Sequence, residues 1–112
     1  MERADTSPRE SSPLALRLMF EWRGGTLWAD DEATFERFDV GAIEDMLGLP
    51  SDLLERLEAL SLWHDTALDW DDPGGPSPWT ADEGARFDAA AEAMRADLER
   101  AFGPGTRVRY VP

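Results

Sequence analysis

One ten-residue segment, Trp70-Asp71-Asp72-Pro73-Gly74-Gly75-Pro76-Ser77-Pro78-Trp79, limits what this chain can become. Its three prolines fix φ and withhold backbone donors, and its two glycines permit turns closed to other residues. The segment therefore separates two helical patterns. It is stiff, it is bracketed by tryptophans, and it holds an acidic pair. It contains no recognisable catalytic set, which points to binding rather than to chemistry.

The flanking patterns are amphipathic. Before the segment, Leu53, Leu57, Leu60, His64, Ala67 and Leu68 share one face at helical spacing, which predicts a helix from a cap at Ser51 to about Trp70. After it, Thr80-Ala81-Asp82-Glu83 is a capping box. Phe87, Ala91, Met94, Leu98 and Phe102 follow as a core stripe that Gly103-Pro104-Gly105 ends. Val40 to Leu47 predicts a short helix, and Asp30 to Asp39 reads as irregular, anchored by Phe35 and Phe38.

Strand patterns lie at the two ends. Leu16, Leu18, Phe20 and Trp22 alternate with Ala15, Arg17, Met19 and Glu21. Arg23-Gly24-Gly25 turns the chain, and Thr26 to Ala29 returns. At the other end Val108 and Tyr110 point inward, with Arg107 and Arg109 outward. The order predicts an α+β domain over 14–112, preceded by a loose polar tail at 1–13. Its sheet is small, antiparallel or mixed, with strands near 14–22, 26–29 and 106–111 and the last beside the first. Two long helices and one short one pack on one face. Leu57, Leu60, Phe87, Met94 and Leu98 are then buried with Leu16, Leu18 and Phe20.

Charge narrows the partners. The 112 residues carry 24 Asp and Glu against 11 Arg, with no lysine, for a net charge of −13. Nucleic acid and anionic lipid are repelled by such a surface, and a cationic protein is favoured. Without cysteine there is neither disulfide nor thiolate chemistry. No apolar run is long enough to span a membrane, and residues 1–13 lack the apolar core of a signal peptide, so the cytoplasm is the expected location.

The candidate chemical groups mostly have plain readings. His64, the one histidine, sits within an apolar stripe and reads as a half-buried core residue, not as a base or ligand. Asp69, Asp71 and Asp72 near Gly74 and Gly75 do not fit a calcium loop, because the twelfth position is Thr80 and prolines occupy ligand positions. No metal site, cofactor or nucleophile is expected. Glu55, Glu58, Asp65 and Asp69 line the helix face opposite the apolar stripe, with Leu62 among them. Such a face is a solvated surface or an interface, where one apolar residue ringed by carboxylates makes a hot spot with a charged rim. The interface reading adds Asp71, Asp72, Trp70 and Trp79 from the stiff segment.

The run from Leu68 to Thr80, followed by Phe87-Asp88 and the ending Gly103 to Tyr110, resembles a group of small acidic actinobacterial proteins over residues 14–112. Some small acidic proteins of this kind resemble immunity partners of secreted bacterial toxins. The resemblance implies a non-enzymatic inhibitor that neutralises a cationic toxin domain encoded by a neighbouring gene. The alternatives are a regulatory or structural interaction module and, third, a small hydrolase or metal-dependent enzyme.

Overall fold

The structure, a computed structural model, describes residues 14–39 and 41–112. The expected tail at 1–13 and the start of the expected helix at Val40 lie outside the described residues. Three strands form one sheet: β1 (Ala15–Leu18), β2 (Leu27–Ala29) and β3 (Arg107–Tyr110), in the order β2-β1-β3. β1 runs antiparallel to β2 and parallel to β3, so the last strand does lie beside the first and the sheet is mixed. Leu16 pairs with Ala29 and Val108, and Leu18 with Leu27 and Tyr110. That register aligns Leu16, Leu18, Leu27, Ala29, Val108 and Tyr110 on the face that the helices cover. The opposite face carries Arg17, Trp28, Arg107 and Arg109.

The strands are shorter than the alternation predicts. β1 ends at Leu18, because the chain closes a wide turn in which Met19 N–H donates to the Thr26 carbonyl at 3.0 Å and Gly24 N–H to the Glu21 carbonyl at 3.0 Å. Phe20 and Trp22 leave the sheet and stack on helix residues instead. Gly25 is required here by close approach: a Cβ would stand 2.0 Å from the Ala42 Cβ.

The short helix lies where irregular chain was expected. α1 (Glu32–Phe38) is capped by Asp31, whose carboxylate accepts Thr34 N–H at 2.9 Å. Hydrogen bonds from the Thr34 hydroxyl and backbone hold that carboxyl below its ordinary range. The buried Thr34 hydroxyl also accepts Ala15 N–H at 3.1 Å, which pins α1 to the sheet. The segment expected as a short helix, 40–47, contributes only a 3-10 turn at Glu44–Met46.

Two longer helices follow among the described residues. α2 (Ser51–Asp65) starts with the Pro50 carbonyl receiving the N–H groups of Leu53 and Leu54, and Ser51 is its first residue rather than its cap. It stops at Asp65, short of Trp70, because donors from the following loop take its last carbonyls. Thr66 Oγ1 donates to Trp63 O at 2.6 Å and Trp70 Nε1 to Asp65 O at 2.9 Å, while Ser77 Oγ holds the Ala67 carbonyl just past the helix. α3 (Ala81–Phe102) begins at Thr80, whose hydroxyl accepts Glu83 N–H at 3.1 Å. The Glu83 carboxylate turns to Trp63 Nε1 at 2.6 Å, and Arg56 meets Asp97 at 2.9 Å, so two polar links join α2 to α3.

The expected core forms: Leu16, Leu18, Phe20, Leu57, Leu60, Phe87, Met94 and Leu98 are all buried, with Leu27, Ile43 and Val108. Both edges of the sheet carry closures. On β3, Val108 N–H donates to Glu99 at 2.8 Å, and its carbonyl accepts from Arg95 at 3.4 Å. On β2, Leu27 N–H donates to Glu44 at 3.1 Å, and its carbonyl accepts Ile43 N–H at 2.9 Å.

Candidate functional site

The outer face of α2 and the turn between β1 and β2 frame a groove of about 380 Å³. Leu54, Glu55, Glu58 and Ser61 form one wall, Glu44 and Asp45 another, and Gly24 and Thr26 the end. Four carboxylates therefore converge, and a groove with walls of one sign concentrates its field toward an approaching cation. The Glu44 carboxylate is already engaged by the N–H groups of Thr26 and Leu27, at 3.1–3.2 Å. Asp45, Glu55 and Glu58 stand exposed.

Beside the groove the surface turns apolar. Leu62 is 61% exposed, Trp22 45% and Trp70 40%, three of the large apolar residues that the described surface leaves in water. Leu62 lies seven residues after Glu55 and four after Glu58, on the same face of α2. Asp65 continues that face, but its carboxylate accepts Arg23 N–H at 2.8 Å and so holds the turn. The Arg23 guanidinium lies 3.8 Å over the Trp70 ring. Trp22, Arg23, Asp65 and Trp70 are thus one interlocked edge.

The other residues read from the sequence lie apart from this face of α2. Asp69 is beyond the helix, where its carboxylate accepts Asp71 N–H at 3.1 Å and its carbonyl accepts Asp72 N–H at 3.0 Å. Asp71 and Asp72 are exposed in the loop. Trp79 is half-buried: its ring centroid lies 6.1 Å from Trp63 and 5.2 Å from Phe87, and its Nε1 donates to Thr66 Oγ1 at 2.7 Å. No group of three or more His, Asp or Glu among the described residues could hold a metal ion. Sequence reasoning missed Asp45, Glu44 and Trp22. The adjacent acids Glu44-Asp45 were visible, but nothing local places them opposite α2.

His64 sits between rings, 4.2 Å from Trp22 in a stacked arrangement, 5.7 Å from Phe20 and 5.6 Å from Phe87. Burial pushes its pKa below the ordinary 6.5, against the pull of Asp65 and Glu21. The unfolded chain then binds the proton more readily than the folded one. Stability contributed by neutral His64 is present above 6.5 and is lost as pH falls through the lowered value. His64→Phe should therefore lose less stability than the natural chain between about pH 7 and about pH 5. Denaturant melts at the two pH values check this, and parallel losses would show that His64 does not carry the effect.

No helix among the described residues is long and apolar enough to cross a membrane. No curated protein matches the chain. A family does. Over residues 14–112, the span that holds the sheet, the groove and the aromatic edge, the sequence matches the description Serratia CdiI immunity protein-like, and the chain belongs to that family of non-enzymatic inhibitors.

Proposed function

We propose that the chain neutralises a CdiA-type toxin domain by seating a basic surface of that domain in the groove between α2 and the Glu44–Met46 turn. The observation that carries this reading is the convergence of Asp45, Glu55 and Glu58 beside the exposed Leu62, Trp22 and Trp70. Charge on one side and apolar area next to it are what a fast and lasting association needs. The carboxylates steer the encounter, and desolvated apolar anchors slow its reversal. Family membership supplies the kind of partner, and the net charge of −13 fits a partner of opposite sign. The arginines Arg17, Arg107 and Arg109 lie on the far face of the sheet, away from the helices.

The test is binding to the toxin domain encoded beside this gene. Association measured in stopped flow is expected to slow steeply as salt rises, because the Debye length shrinks from about 30 Å at 0.01 M to about 8 Å at 0.15 M. A rate independent of salt would sink the steering role of the groove. Leu62→Ala is expected to leave association nearly unchanged and to raise the dissociation rate about tenfold, corresponding to about 1.4 kcal/mol. Surface plasmon resonance reads both rates, and an unaltered dissociation rate would place Leu62 outside the contact.

A further inference from the structure

One helical turn beyond Ser61, which lines the groove, His64 lines a second opening of about 190 Å³. Rings make its walls. Phe87 lies 5.2 Å from Phe20, 5.6 Å from His64 and 5.2 Å from Trp79, centroid to centroid. Tyr110 closes a further side, and its hydroxyl donates to the exposed Asp88 carboxylate at 2.7 Å. His64 Nδ1 is shut off from solvent and has no hydrogen-bond partner.

Gly84 keeps the opening clear. It sits in the first turns of α3, where alanine is the better helix former. A Cβ there would meet no atom within 4 Å, so packing does not require the glycine. Gly84 lines the opening, so a larger side chain there is free to extend over it.

The chemistry selects the occupant. Aromatic faces attract cations placed within about 6 Å of the ring. A carboxylate beside the rings adds a counter-charge and repels anions. An uncharged apolar group would draw nothing from the Asp88 carboxylate. We propose that this opening receives one cationic side chain, a lysine or an arginine, projecting from the toxin domain. The proposal rests on the toxin-binding function above and adds an anchor to it.

The test needs no toxin. The full chain, labelled with nitrogen-15, is titrated with n-butylammonium, n-butylguanidinium and the uncharged 1-butanol. The cations are expected to shift the Trp79 Nε1–H and Gly84 N–H signals saturably, and to bind at least about threefold more tightly than 1-butanol. Whichever cation binds more tightly tells lysine from arginine. Asp88→Asn, on the exposed rim, should weaken cation binding at least about twofold. Gly84→Leu should abolish it while the rest of the spectrum stays in place. Absence of a saturable shift, or equal binding of 1-butanol, overturns the proposal and leaves the toxin-binding function standing. Intact cation binding in a chain that captures no toxin would overturn that function instead.

Discussion

Phe87→Ala is expected to cost about 3–5 kcal/mol of stability, a large part of the roughly 5–15 kcal/mol available to a domain of this size. The ring is buried and sits at the centre of the aromatic cluster, within 5.2–5.6 Å of Phe20, Trp63, His64 and Trp79. Those four rings come from the β1–β2 turn, from α2 and from the loop before α3. Truncation therefore removes a side chain that three separate segments use as their common partner. The cavity cannot collapse easily, because each neighbour is held elsewhere: Trp63 by Glu83, Trp79 by Thr66, and His64 by the stack on Trp22. Urea melts read the loss directly. A cost below about 1 kcal/mol would mean that the cluster rearranges freely and that Phe87 is not its hub.

The second large effect is expected from Asp45→Arg, Glu55→Arg and Glu58→Arg made together. Association with the toxin domain should slow at least about tenfold at low salt, since electrostatic steering accounts for gains of that size or more. The three side chains are exposed, and no ion pair or hydrogen bond of theirs holds the fold among the described residues. The melting temperature should accordingly change little. Glu44 and Asp65 are left out because their carboxylates hold backbone N–H groups of β2 and of the preceding turn. Reversing them would damage the scaffold and confuse the reading. Equal association rates for the reversed and natural chains would reduce the acidic groove to a solvated surface.

The sheet was legible because its signal is local alternation. Alternation puts Leu16 and Leu18 on β1 and Val108 on β3 on the core face, but it leaves the direction of pairing open between antiparallel and mixed. The two long helices were legible from their apolar stripes. What escaped depends on groups distant in sequence. α1 has seven residues, too few to hold by propensity, and it persists because Thr34 reaches Ala15 across nineteen positions. The end of α2 was read too late because Ala67 and Leu68 continue the helical spacing. The loop donor that takes its last carbonyl, on Trp70, lies in the proline-rich segment and reveals nothing through periodicity. Of the candidate interface, Glu55, Glu58, Leu62 and Asp65 share one helical face as their spacing requires, whereas Asp69 leaves it with the end of α2. The opposite wall, Glu44 and Asp45, is brought in by Gly25 and Ala42 packing too closely for any side chain at 25.

The closures at Val108 and Leu27 have a meaning beyond the fold. β3 has four residues and β2 three, so one occupied outward residue on each removes about half of what an added strand could grip. An inhibitor of this kind is useful only if a reserve of it is waiting before its target arrives. Molecules held at high concentration meet one another far more often than they meet a toxin. With Glu99 and Arg95 occupying one margin and Glu44 and Ile43 the other, such encounters find a shortened template for β-pairing.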